Sequence, residues 1–199
     1  MRRYLLVAAL AATFLWTASG QETTISISIL NPQFNADELP CTPSANCYNI
    51  GITGWLIGPG TSVFKASTTQ YPEAPAGGLY VAAIGGTVGT GSILQTLGAT
   101  LQANTVYKLS LSVGARADLP FTGYAAALLA GNVTLAAGNK ATPVAGTFLT
   151  EVVVYESGAN PAQLGQPLQV LTKLGYPFHS GDPYSLWPAF GSIGIAFDH

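Results

Sequence analysis

The stretch Tyr107-Lys108-Leu109-Ser110-Leu111-Ser112-Val113 reads as a β-strand. Its odd positions are apolar and its even positions polar, the period-two rhythm of a ribbon with one face buried and the other in water. The same signal returns on either side. Ile25, Ile27 and Ile29 alternate with Ser26 and Ser28, and further candidates are Gly78–Ile84, Ser92–Leu97, Gly123–Ala130, Thr147–Tyr155, Leu168–Lys173 and Ser192–Asp198. Each is rich in apolar, β-branched or aromatic residues and bounded by Gly, Pro or Asn. The mostly apolar Val152–Tyr155 run is expected in a central strand. Ala125–Ala127 favours helix by propensity, but Gly123 and Gly131 bracket too short a stretch for a stable one. Strands recurring near every 8–12 residues predict an all-β fold, two antiparallel sheets packed face to face as a β-sandwich or jelly roll.

Composition agrees with many short strands joined by tight turns. Hydrophobic residues make up 48% of the 199 and charged residues 8%, with 23 Gly and 13 Pro; an ordinary soluble domain carries roughly 25% charge. The formal charge is -2, and without Arg2 and Arg3 it is five Lys+Arg against nine Asp+Glu, or -4. Such a chain cannot neutralise a phosphate backbone, so nucleic acid is not its partner. Arg2 and Arg3 precede the apolar run Tyr4–Trp16, and Ala18-Ser19-Gly20 supplies small residues for a signal peptidase. Residues 1–20 are therefore expected to be a signal peptide, and 21–199 a single secreted β-sandwich domain, extracellular or periplasmic. After signal cleavage no later segment spans a membrane without Gly, Pro or polar breaks. In an oxidising compartment Cys41 and Cys47, flanking Thr-Pro-Ser-Ala-Asn, are expected to close a small disulfide loop. A zinc site is not expected from two cysteines with His179 and His199 far away in sequence.

Residues 176–190 hold five aromatics, Tyr176, Phe178, Tyr184, Trp187 and Phe190, and three prolines. Proline stiffening lowers the entropy lost in presenting such rings, and aromatic faces stack on sugars or other planar, apolar ligands. Two readings stand side by side: a binding loop, or a loop folded over an open sandwich edge that hides its own rings. Tyr48, Trp55, Phe64 and Tyr71 are candidates for an adjoining wall, Trp55 being more at home in a core.

Hydrolytic chemistry finds little support. His179 and Asp182 lie three apart, yet no Gly-x-Ser-x-Gly elbow supplies a nucleophile. Glu151 and Glu156, five apart on one strand, point to opposite faces and cannot form a glycosidase pair. Arg116 and Asp118 read as a loop-pinning ion pair. Gly85–Gly91 lacks the Gly-Lys-Ser/Thr ending of a phosphate loop and reads as a hairpin turn. Asn132-Val133-Thr134 is a glycosylation sequon by pattern.

Four stretches carry a resemblance. Ile29-Leu30-Asn31-Pro32-Gln33-Phe34-Asn35, then Gly54-Trp55, then Ser92–Leu97 with Leu101–Tyr107, and finally Ala196-Phe197-Asp198 resemble, in order and spacing, the landmarks of carbohydrate-binding-module-like, galactose-binding-like β-sandwiches. The resemblance implies a structural calcium ion held near Asn35, Asp37 and Asp198. Asn35 stands where the family commonly has Glu, which removes a formal charge from a site that favours carboxylates, and Asp37 and Glu38 are the acids at hand to replace it. Family strands also continue beyond the Asp, so a shortened C-terminus is expected at His199.

The same architecture is similar to the Stig cyclases of cyanobacterial indole-alkaloid biosynthesis, which rearrange and cyclise an isonitrile-bearing indole terpenoid. There the resemblance implies an acid at Asp198, with Tyr80 and Phe121 shaping the pocket. A charged calcium ligand and a proton donor are conflicting duties for one Asp, because the cation lowers its pKa. The commoner duty being structural, the reading placed first is a non-enzymatic binding module for carbohydrate or another small apolar ligand. Second comes a cyclase-like enzyme, and third an extracellular structural protein without a ligand.

Overall fold

The computed structural model describes residues 26–85, 91–139, 142–175 and 193–197, the last as backbone. Among them run eleven strands and no helix: β1 (Tyr48–Asn49), β2 (Leu56–Ile57), β3 (Thr61–Ala66), β4 (Leu79–Ile84), β5 (Ser92–Thr100), β6 (Val106–Ala115), β7 (Tyr124–Ala130), β8 (Val133–Gly138), β9 (Phe148–Glu156), β10 (Pro167–Leu174) and β11 (Ile193–Phe197). They form two antiparallel sheets, one ordered β1-β3-β4-β11-β6-β9 and the other β2-β5-β10-β7-β8. No helix of the described residues is long and apolar enough to cross a membrane.

Alternation decides which side chains meet between the sheets. Leu109, Leu111 and Val113 of β6 and Ala82 and Ile84 of β4 face Ile93 and Leu97 of β5, Ala126 and Leu128 of β7 and Leu168 and Val170 of β10 in one buried cluster. Each Leu, Ile or Val among them contributes roughly 1.5–3 kcal/mol through burial. A second cluster lies on the opposite face of β3 and β4, where Phe64, Ala66, Val81 and Ala83 are covered by Tyr71 and Ala74 from the β3–β4 connection. Gly114 on β6 has room for no side chain because the Phe148 ring lies over it, and that ring stacks on Tyr71 at 4.5 Å.

The landmark stretches of the sequence meet in two knots. Gln95, buried on β5, accepts the Leu30 N–H at 2.8 Å and donates to Leu30 O and Gly54 O, each at 2.9 Å. One side-chain amide thus ties Leu30 to Gly54, and residues 26–29 before it form no strand although Ile27 and Ile29 do pack on the core. Trp55 Nε1 donates to Asn31 O, and the Trp55 ring lies 5.7 Å from that of the fully buried Phe34. In the second knot the Gln102 N–H donates to Tyr107 Oη at 2.7 Å, and Ser157 Oγ accepts the Thr105 N–H while donating to Gln102 O.

Several expectations are corrected. The strand expected from Ile25 has no ladder partner over residues 26–29. Val152–Tyr155 belongs to β9, an edge strand, with Val152 and Val154 exposed and Val153 buried. The strands on either side of Gly85–Gly91, β4 and β5, belong to different sheets and do not form the hairpin expected there. Strands β3 and β8 were not expected at all. Phe64 and Tyr71 belong to the second core rather than to a ligand wall; burial pushes the Tyr71 phenol above its ordinary range, with nearby Asp118 adding to the effect and Arg116 opposing it.

Cys41 and Cys47 are disulfide-bonded, with Cα atoms 5.7 Å apart. Arg116 and Asp118 form the expected pair through two hydrogen bonds of 2.8 and 2.7 Å, while Gln70 Nε2 donates to the same carboxylate at 3.1 Å and the guanidinium lies 4.6 Å from the Phe64 ring centre. Hydrogen bonding from Arg116 holds Asp118 below the usual carboxylate range. A depressed acid adds stability that is present above the unfolded pKa and lost as pH falls through the folded one. Asp118→Asn should therefore cost less than about 1 kcal/mol at neutral pH and flatten the acid-side fall, as read by thermal melts across pH 2–6.

Candidate functional site

Strand β9 carries an acid on its inward face. In the phase that buries Val153, Glu151 also turns inward, opposite Leu111 of β6 in the register. It is 4% exposed, the one acid buried among the described residues. A carboxyl group enclosed this way is costly unless it is hydrogen-bonded. From the other sheet Tyr124, 2% exposed, donates its phenol hydrogen to Glu151 Oε2 in a short hydrogen bond. At the end of β8, Gly138 leaves the room required: a Cβ there would stand 2.5 Å from Glu151 Oε1.

The loop before β7 completes the constellation. Half-buried Phe121 leans on Tyr124 at 6.3 Å with the rings inclined by 56°. Thr122 Oγ1 is shut off from solvent and has no hydrogen-bond partner among the described residues. Gly123 has φ +84° and open space where a side chain would stand, and its carbonyl accepts the Gly175 N–H at 3.1 Å. An aromatic face, an unsatisfied hydroxyl and the phenol that binds Glu151 thus follow one another along Phe121–Tyr124.

Of the residues named from sequence, Phe121 lies in this constellation. Tyr80 is on β4, packs on the same core, accepts the Leu39 N–H at 3.1 Å and has Lys65 Nζ 5.5 Å from its ring centre. No ring contact among the described residues joins it to Phe121. Asp198 and the aromatics Tyr176, Phe178, Tyr184, Trp187 and Phe190 lie outside the described residues, as do His179 and Asp182. Trp55 is core, and Tyr48 is exposed beside a depression of about 360 Å³ that also involves Ile57 and Thr61. That depression adjoins β1, the edge of the six-stranded sheet opposite β9.

In the described part of the expected metal site, Asp37 is taken up by hydrogen bonds. Asp37 Oδ2 accepts the Thr53 N–H and Asn31 Nδ2 at 2.8 and 3.0 Å, and Oδ1 accepts the Thr53 hydroxyl at 2.6 Å. Its lone pairs face donors, whereas a hard cation needs converging oxygens. Asn35 and Glu38 are exposed, and no group of three or more His, Cys, Asp or Glu gathers among the described residues.

Glu151 is what the reading from sequence passed over. Glu151 faces away from Glu156, as the five-residue spacing predicts. The available signal was its phase with Val153 and Tyr155.

A family model described as "HpiC1-like: HpiC1 cyclase" matches residues 25–175. The chain belongs to the HpiC1-like family. No curated protein sequence matches this HpiC1-like chain, but solved structures do. It is similar to a Stig cyclase, Fisc, from Fischerella sp. TAU in complex with (3Z)-3-(1-methyl-2-pyrrolidinylidene)-3H-indole, at 23% identity and TM-score 0.69 over 86% of this chain and 94% of that one. A cyclase from the same source in complex with 4-(1H-indol-3-yl)butan-2-one matches at 23% identity and TM-score 0.66, over 87% and 94%. At this identity the likeness establishes a shared fold. A xylan-binding domain from Paenibacillus barcinonensis Xyn10C reaches 10% identity and TM-score 0.43 over 75% of the HpiC1-like chain and 90% of its own, too little to bear on function.

Proposed function

We propose that this HpiC1-like protein is a cyclase of the Stig type, taking an indole-bearing terpenoid as substrate. The observation that carries the reading is the family match across residues 25–175. It reverses the order set from sequence, in which a carbohydrate-binding module came first, because sugar-binding neighbours share the sandwich only distantly. Support comes from two indole compounds bound by the Fischerella proteins and from the aromatic, hydrogen-bonding character of the Phe121–Tyr124 stretch. In this reading Asp198 donates the proton that starts ring closure, and Phe121 and Tyr80 shape the apolar wall. A carboxyl group serves as such an acid when apolar surroundings raise its pKa.

Incubation with an indole-isonitrile terpenoid tests it. Cyclisation rearranges bonds without changing composition, so the expected products have the substrate mass and new retention times. Recovery of unchanged substrate, with binding to a broad glycan panel instead, would return the carbohydrate reading to first place.

Two further parts of the proposal are separately testable. Export through residues 1–20 predicts a secreted chain whose N-terminus, by sequencing, is Gln21. A structural calcium ion would rest on Asp198 and backbone oxygens rather than on the committed Asp37. A bound ion raises the melting midpoint by mass action, so a chelator should lower it, and identical melts would remove calcium from the account.

A further inference from the structure

We propose that Thr122 is a specificity-determining contact whose hydroxyl receives the ring N–H of an indole packed on Phe121; the inference rests on the cyclase reading above. Buried hydroxyls in folded proteins almost always find a partner, and an exception calls for one that is missing. Thr122 Oγ1 is such an exception, enclosed and unpartnered among the described residues. Its surroundings select the kind of partner. Phe121 before it offers a half-buried aromatic surface. Gly123 after it adds no side chain and leaves open space at its Cα. Tyr124 is already committed to Glu151, so among these neighbours the free acceptor is Thr122. A flat apolar ligand with one hydrogen-bond donor on its rim satisfies all three conditions. A polyhydroxylated sugar does not, since it would bring many polar groups to a single acceptor.

The test uses the whole protein and two probes, 4-(1H-indol-3-yl)butan-2-one and its N-methyl analogue, which lacks the donor. The wild type should bind the first about three- to tenfold more tightly, the range of one net hydrogen bond. In Thr122→Val, which keeps the shape, that preference should fall to about one, while Thr122→Ser should retain it. The valine variant should also melt a few degrees higher, because a buried hydroxyl without a protein partner has been replaced by a methyl group. A residue of merely structural importance would not move affinity and stability in opposite directions. If Thr122→Val keeps the wild-type preference between the two probes, the inference is overturned and the cyclase reading stands. If the wild type binds neither probe and turns over no indole terpenoid, both are overturned.

Discussion

Glu151→Ala should lower the free energy of unfolding by on the order of 3 kcal/mol, visible in a denaturant titration as an earlier midpoint at unchanged slope. Two losses combine. The Tyr124 phenol loses its acceptor inside the core, which costs about 1–3 kcal/mol. The vacated volume beside Leu111 and Gly138 leaves a cavity that two sheets held by their ladders close only in part. Glu151→Gln keeps an acceptor and nearly the same volume, so its cost should be smaller. Tyr124→Phe should be destabilising alone but nearly silent in the Glu151→Leu background, where no carboxylate is left enclosed, giving a coupling energy of about 1–3 kcal/mol. Gly138→Ala should act through the same contact, since its methyl must displace the carboxylate. Wild-type stability in Glu151→Ala would mean that the side chain is not enclosed between the sheets.

Glu151 also marks where legibility in the sequence ends. Strands with one wet face could be read directly: β6 and β9 begin and end within a residue or two of expectation because alternation, glycine and proline mark them locally. β3 was missed because Val63 and Phe64 are both buried, each in a different cluster, so that no alternation is written into the sequence. β8 was missed for the opposite reason, its residues being mostly exposed or half-exposed. Ser26–Ile29 alternates well yet forms no ladder, and the Leu30 backbone that follows is held by a side chain 65 residues away, Gln95. Strand order is likewise non-local: β9 is an edge although its composition suits a centre.

The site shows the same division. Asn31, Gly54-Trp55, Gln95 and Tyr107 were legible as landmarks, but the structure gives them to hydrogen bonds that hold loops against the sandwich. Residues used in this way secure the fold and say nothing about what is bound. That is why the landmarks point to the architecture and leave the choice of function open. The Tyr124–Glu151 pair forms only when the two sheets close.

Asp198→Asn should reduce cyclisation of an indole-isonitrile terpenoid by about a hundredfold or more, the usual contribution of a positioned general acid. Asn keeps the size and one carbonyl oxygen but has no proton to give at neutral pH. Binding of 4-(1H-indol-3-yl)butan-2-one should survive, because ring contacts and a donor to Thr122 do not need the acid. The variant also separates the two duties that one carboxyl group cannot hold together. As a calcium ligand it would be charged, its pKa lowered by the cation, and its replacement would lower the melting midpoint in calcium while abolishing the response to chelator. As a proton donor it needs a raised pKa, and its replacement would leave the melt alone and remove the products. Loss of turnover with an unchanged melt is the expected result. Turnover at the wild-type rate would exclude Asp198 as the acid and make Glu151, enclosed beside Tyr124 and held in the same sheet through Leu111, the next carboxyl group to replace.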